Sequence, residues 1–198
     1  MAALVAAAAA PQYTGMKIAR FLVVSTVLAT LAACAAEDPA PSTAVMPPGA
    51  LGTNGDVDVR SLDIAAYYFG QVIRKPADAA TAIAALDYMG GELNTSPRWI
   101  DMDPLTRAQM LEARETVRSY VGISQAAPSQ AVVDTMLALA QAYGTGDTAA
   151  VQRLLASPIF IVPPAEVQAH LSHIPLMPAV NNVTTRADTL FPDLGTPS

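Results

Sequence analysis

The sequence predicts an all-α fold, a small bundle or a set of stacked helical hairpins with about six helices, between residues 59 and 185. Three observations support this prediction. Apolar residues in this range recur every three to four positions, which is the period of an amphipathic helix. Proline stands at the start of several of these segments, and glycine or proline follows their end, as at helix boundaries. No convincing run of strand residues occurs among them.

The first two helices are predicted to form an antiparallel hairpin. Helix one carries apolar residues at i, i+3, i+4, i+7, i+10 and i+11 and ends before Pro76, which also suits the first turn of helix two. Gly90 and Gly91 are expected to end helix two with a left-handed cap. The stripe of helix one consists of Leu62, Ala65, Ala66, Phe69, Val72 and Ile73.

Four further helices follow, each with its own boundary signals. The predicted boundary residues are Asp103 and Pro104 with Gly122 for helix three, Ser129 for helix four, Asp147 and Pro158 for helix five, and Pro163 and Pro164 for helix six. Residues 186–198 are expected to form a flexible tail because proline, glycine and polar residues accumulate there.

The N-terminal part of the chain has a different pattern. Lys17 and Arg20 form a short positive segment, residues 21–30 form an apolar run, and small residues lead to Cys34, the only cysteine of the protein. This order is the layout of an export signal. A single cysteine forms no intramolecular disulfide, so this thiol needs another explanation.

The tetrapeptide Leu31-Ala32-Ala33-Cys34 matches the lipobox, and residues 16–33 therefore resemble the signal peptide of a bacterial lipoprotein. The resemblance covers about a tenth of the chain. It implies cleavage between Ala33 and Cys34, a thioether-linked diacylglyceryl group on Cys34, and an acyl chain such as palmitate on the freed amine. At roughly 0.8 kcal/mol per buried CH₂, two or three chains anchor a protein stably. No other cofactor is expected.

Two alternatives for this region stay open. Cys34 could be an ordinary buried cysteine, although that does not explain the basic pair and the apolar run before it. Residues 18–36 could be an uncleaved transmembrane anchor, for which about 20 apolar residues are needed, but this span includes Arg20.

The segments beside the signal peptide also carry expectations. Residues 1–15 place an alanine run ahead of the basic segment, so they are interpreted as a misassigned start. Residues 34–58 hold the lipidated Cys34 and a proline-rich stretch, which predicts a disordered tether. Ala35 is not the aspartate that resembles an inner-membrane retention signal, so the periplasmic face of the outer membrane is favoured over the inner membrane.

Residues that could carry chemistry are few. His170 and His173 with Glu166 could bind a metal ion on one face of helix six, although histidines near a helix C-terminus more often serve the helix dipole. Arg98 and Trp99 lie in a proline-flanked loop and are predicted as a partner contact, with a core position for the tryptophan as the alternative.

No residues are predicted to be catalytic. The chain has no G-x-S-x-G elbow and no phosphate-binding glycine loop. Glu112 and Glu115 lie beside Arg114 and Arg118, which is typical of a solvated, charged helix face.

Charge and composition limit the function classes. Without the signal peptide the chain carries nine basic and seventeen acidic residues, a net charge of about −8, which disfavours nucleic acid as a partner. The prediction is a membrane-anchored lipoprotein whose non-enzymatic helical domain faces the periplasm and binds another envelope protein. The alternative is an envelope enzyme, or a metal- or ligand-binding lipoprotein, that uses the Glu166, His170 and His173 region.

Overall fold

The computed structural model of the protein describes residues 42–52 and 55–194. Within these ranges the chain forms seven α-helices, one 3-10 turn and no β-strand, so the all-α prediction is confirmed. Cys34 and the predicted signal peptide lie outside the described residues. The helices are α1 (Val57–Phe69), α2 (Pro76–Thr95), α3 (Pro104–Val121), α4 (Ser129–Thr145), α5 (Thr148–Leu155), α6 (Pro164–Leu171) and α7 (Pro178–Leu194), and the 3-10 turn is Pro97–Trp99.

Helix α2 is the centre of the fold. It packs against α1, α3, α4 and α6, and 13 of its 20 residues are buried. A helix that is buried on nearly all sides must be apolar all round, and α2 meets this need largely with alanines, whose small side chains let the neighbouring helices approach closely. Its single buried acid, Asp87, therefore stands out.

Local capping signals place two of the helix starts as predicted. The carboxylate of Asp103 accepts a hydrogen bond from the Thr106 backbone N–H at 2.8 Å and caps α3. The carboxylate of Asp147 accepts one from the Ala150 N–H at 2.9 Å and caps α5. Ser129 does not cap α4; it is the first helical residue, and Pro128 occupies the cap position.

The predicted cap at Gly90 and Gly91 is wrong, because α2 continues through both residues to Thr95. These glycines serve close packing. A Cβ on Gly91 would lie 2.6 Å from the carbonyl oxygen of Ser42, and a Cβ on Gly90 would lie 3.1 Å from Cδ of Arg114. Glycine is needed here so that other parts of the chain can approach the helix backbone.

The C-terminal part of the domain also differs from its prediction. Residues 186–194, expected in a flexible tail, belong to α7, which packs against α1 and α3. Val180, Val183, Thr184 and Ala187 are buried at i, i+3, i+4 and i+7. Because two of these four residues are alanine and threonine, the apolar stripe of α7 is weak in the sequence.

Residues 42–52, named the strap below, were predicted to belong to a disordered tether, and this prediction is wrong for these eleven positions. Met46 is 4% exposed and Leu51 is 8% exposed, so both side chains lie in the core of the domain. The prolines and glycines around them give no helix or strand period, but two apolar anchors suffice to hold an irregular segment against a folded body.

No helix within the described ranges combines the length and the apolar character that crossing a membrane requires.

Candidate functional site

The three predicted metal ligands lie on α6 or just after it, with Glu166 in its first turn, His170 in its last turn and His173 beyond its end. Glu166 and His173 are exposed and His170 is half-buried. The ring of His170 packs against that of Tyr120 with 5.0 Å between their centres, and Nδ1 of His173 is 3.5 Å from the guanidinium of Arg74. In the described part of the chain, no group of three or more His, Cys, Asp or Glu side chains is arranged to hold a metal ion.

The two residues of the predicted partner contact have different environments in the structure. Trp99 is 1% exposed, so its ring belongs to the core, as the alternative interpretation had it. Arg98 lies at the surface, where its Nη1 is 2.8 Å from a carboxylate oxygen of Asp56 and 2.8 Å from one of Asp58. A partner could therefore contact the arginine but not the tryptophan.

These ion pairs belong to a polar junction that joins α1, α2 and the 3-10 turn. The buried carboxylate of Asp58 also accepts a hydrogen bond from the Tyr88 hydroxyl at 2.5 Å. Burial and the adjacent Asp58 carboxylate raise the pKa of Tyr88. For Asp56, burial alone would raise the pKa, but the Arg98 hydrogen bond and two backbone N–H groups outweigh it and lower the pKa. The junction is a structural element, since each charge has a partner.

A second polar cluster, the arginine cluster, lies deeper and consists of Asp87, Arg114, Arg118 and Ser129. Arg118 binds both carboxylate oxygens of Asp87, at 2.6 and 2.7 Å, and its Nη1 donates to the carbonyl of Ala127 at 2.9 Å. Arg118 is 2% exposed and Arg114 is 8% exposed. The predicted solvated face is therefore wrong for these two arginines.

Arg114 is the member of this cluster whose charge is least compensated. Both oxygens of Asp87 are bound by Arg118, and Arg114 instead donates to the carbonyl of Ser42 at 3.1 Å and to the hydroxyl of Ser129 at 3.3 Å. Its Nε is buried without a hydrogen-bond partner among the described residues. Burial lowers the pKa of Arg114, because removing a charge from water disfavours the charged form.

Sequence reasoning missed this cluster, although a signal for it was present. Asp87 is an acid in the middle of an alanine-rich helix that is otherwise apolar. A carboxylate in such a position needs a basic partner, since an unpaired buried charge is very costly. Arg114 and Arg118 of α3 were among the basic residues that the sequence offered for this role.

Two of the grooves on the described surface lie along α7 and along α1. One, of about 280 Å³, lies between α3 and α7 and includes Gln109, Glu112 and Arg186. The other, of about 530 Å³, lies beside α1 and includes Arg60, Asp63 and Tyr67, whose ring is 67% exposed.

Asp188→Asn is expected to raise the stability of the domain at neutral pH. Burial, together with a hydrogen bond to Asp63 and the charge of that residue, raises the pKa of Asp188. A carboxyl group whose pKa is raised in the folded chain favours folding below the pKa of the unfolded chain, and this contribution is lost as the pH rises through the folded pKa. At pH 7 the two carboxylates repel each other, and removing one charge should stabilise the domain by about 0.5–1 kcal/mol.

Thermal unfolding of the variant at pH 7 and pH 3 checks this prediction. We expect the Tm to rise by about 1–3 °C at pH 7 and to change little at pH 3. The exposed Asp101→Asn serves as the matched control and should leave the Tm unchanged at both pH values. A lower Tm of Asp188→Asn at pH 7 would contradict the proposed repulsion.

Comparison of the chain with models of protein families, with curated proteins and with solved structures finds no match. The described residues themselves define a small all-α domain with a buried arginine cluster and a strap of irregular chain packed over it.

Proposed function

We propose that the protein is a bacterial lipoprotein that is anchored to an envelope membrane by Cys34, and that its helical domain is a non-enzymatic interaction or assembly module facing the periplasm. The observation that carries the proposal is the lipobox Leu31-Ala32-Ala33-Cys34, which follows a basic pair and an apolar run. Ala35 after the lipidated cysteine favours the outer membrane.

The non-enzymatic role is supported by what the fold offers. The described helices present solvent-facing surfaces and open grooves, and the arginine cluster is enclosed beneath the strap. A net charge of about −8 for the mature chain disfavours nucleic acid and anionic lipid as partners, so the lipid has to supply the anchoring.

Cys34→Ser tests the anchor. We expect the variant to lose metabolic labelling by a palmitate analogue and to leave the membrane fraction, because the thioether cannot form on serine. Mass spectrometry of the unaltered protein should show Cys34 as the first residue with its lipid attached. Ala36→Ser, outside the lipobox, is the matched control and should behave as the unaltered protein. An intact N-terminus with an unmodified thiol would overturn the proposal.

A further inference from the structure

Besides the buried side chains of Met46 and Leu51, the backbone of the strap also holds it on the helical body. Oε1 of Gln130 accepts a hydrogen bond from the Val45 N–H at 2.7 Å, and Nε2 of the same side chain donates to the Val45 carbonyl at 3.2 Å. Nη1 of Arg114 donates to the Ser42 carbonyl at 3.1 Å. Main-chain groups are common to all peptides, so contacts of this kind hold an extended segment largely independently of its side chains.

Two side chains of the strap are recognised individually. The Ser42 hydroxyl accepts a hydrogen bond from the Ser129 N–H at 2.9 Å and so supplies the cap of α4 that Pro128 lacks. Met46, four positions later, is an apolar anchor in the core. Gly91 lets the backbone at Ser42 approach α2. We name the surface formed by Gly91, Arg114, Ser129 and Gln130 the strap groove.

The strap does not satisfy the charge of this groove. Arg114 receives only neutral oxygen atoms from Ser42 and Ser129, and its Nε has no hydrogen-bond partner among the described residues. An aspartate in place of Ser42 would keep an oxygen atom for the Ser129 N–H and would bring a carboxylate to the residue whose carbonyl Arg114 already binds. Charge-assisted hydrogen bonds are roughly twice as strong as neutral ones, and a carboxylate is favoured at a helix N-terminus.

We propose that the strap groove is a binding site for an extended peptide segment of a partner protein, with the pattern Asp-x-x-x-Met, and that the strap fills this site in cis. A covalently attached segment has a high effective concentration, so the partner binds when the strap is displaced. The peptide segment would be the ligand of the proposed interaction module. Its role in the envelope rests on the proposed function, whereas the binding itself is measured on the purified protein and does not depend on the lipid.

The test uses the mature chain in detergent with a protease site in place of Thr53 and Asn54, cleaved after purification. Fluorescent peptides of residues 42–52 are added in three forms: the natural sequence, Ser42→Asp and Met46→Asp. We expect saturable binding at one peptide per chain, about tenfold tighter for Ser42→Asp, which corresponds to about 1.4 kcal/mol, and absent for Met46→Asp. The uncleaved chain should bind much more weakly.

Gly91→Ala tests whether the peptide binds in the strap groove or elsewhere on the surface. The added Cβ would collide with the peptide backbone at the place of Ser42, so binding to the cleaved chain should fall at least tenfold. Gly144→Ala is the matched control, because a Cβ there meets no atom within 4 Å, and it should bind as the unaltered chain does. Equal binding by the two variants would overturn the proposal.

Hydrogen exchange of the intact chain gives an independent result. The amides of Val45 and Ser129 should exchange through local opening of the strap, faster than the amides in the middle of α2. The proposal is wrong if both amides exchange only with global unfolding, or if the cleaved chain unfolds or takes up none of the peptides, because the strap would then be a permanent part of the core.

Discussion

Asp87→Ala is expected to lower the free energy of unfolding by about 3–5 kcal/mol, a large part of the 5–15 kcal/mol that is usual for a domain. The Asp87 carboxylate is 1% exposed and accepts two hydrogen bonds from Arg118, at 2.6 and 2.7 Å. Without it, the hydrogen bonds of the two buried guanidinium groups go to neutral oxygen atoms alone. The effect arises less from the lost pair itself than from the uncompensated charge that stays behind.

Urea unfolding followed by the helical circular dichroism signal measures this effect. The matched control is Arg60→Ala, which breaks a pair with Asp63 whose side chains are 42% and 44% exposed. Exposed pairs contribute about 0–1 kcal/mol. A double variant, Asp87→Leu with Arg118→Leu, should be less destabilised than the sum of its single variants, since it removes both charges together. Losses of equal size for Asp87→Ala and Arg60→Ala would contradict the buried-pair interpretation.

The sequence was sufficient where a structural choice is decided within a few residues. Asp103 with Pro104 and Asp147 begin their helices as predicted, because a capping carboxylate acts on backbone N–H groups two or three positions away. The apolar stripe of α1 was correct for Leu62, Ala65 and Phe69, which are buried. The helix itself ends at Phe69, before the last two residues of the predicted stripe.

Long-range packing explains what the sequence did not reveal. Gly91 has the same local signature as a helix cap, and only the strap, which arrives from another part of the chain, makes it a packing residue. Arg114 and Arg118 have the spacing of a solvated face, and burial by α2 and the strap reverses that interpretation. The contacts of the strap join residues that are 72 to 87 positions apart, beyond any local pattern.

The lipobox and the strap groove differ, for the same reason, in how well the sequence predicts them. A lipobox is a linear signal that the export machinery reads in an extended peptide, so four adjacent residues suffice to predict it. The strap groove combines residues of α2, α3 and α4, and it exists only in the folded chain. Among its residues the sequence singled out Gly91, Arg114 and Ser129, but each for a different role.

Gly122→Ala is expected to destabilise the domain by about 2–4 kcal/mol. Gly122 ends α3 with φ of 84°, a left-handed conformation that costs other residues about 1–2 kcal/mol. A Cβ there would also lie 2.3 Å from Cγ2 of Val162, and overpacking of this kind typically costs 1–3 kcal/mol. The Gly122 carbonyl accepts the Ile161 N–H at 2.8 Å, so the clash would also strain the attachment to α3 of residues 156–163, which connect α5 to α6.

Gly146→Ala separates the two contributions, because Gly146 ends α4 with φ of 71° and a Cβ there meets no atom within 4 Å. This control should lose only the conformational part, about 1–2 kcal/mol. Adding Val162→Ala to Gly122→Ala should recover the part of the loss that comes from the clash, measured as the coupling energy of a double-mutant cycle by urea unfolding. If Gly122→Ala and Gly146→Ala cost the same and the cycle shows no coupling, the close approach of Val162 to α3 is wrong. If the coupling is present, the segment before α6 packs against the end of α3 as tightly as the structure shows, since only a side chain held there can collide with the added methyl group.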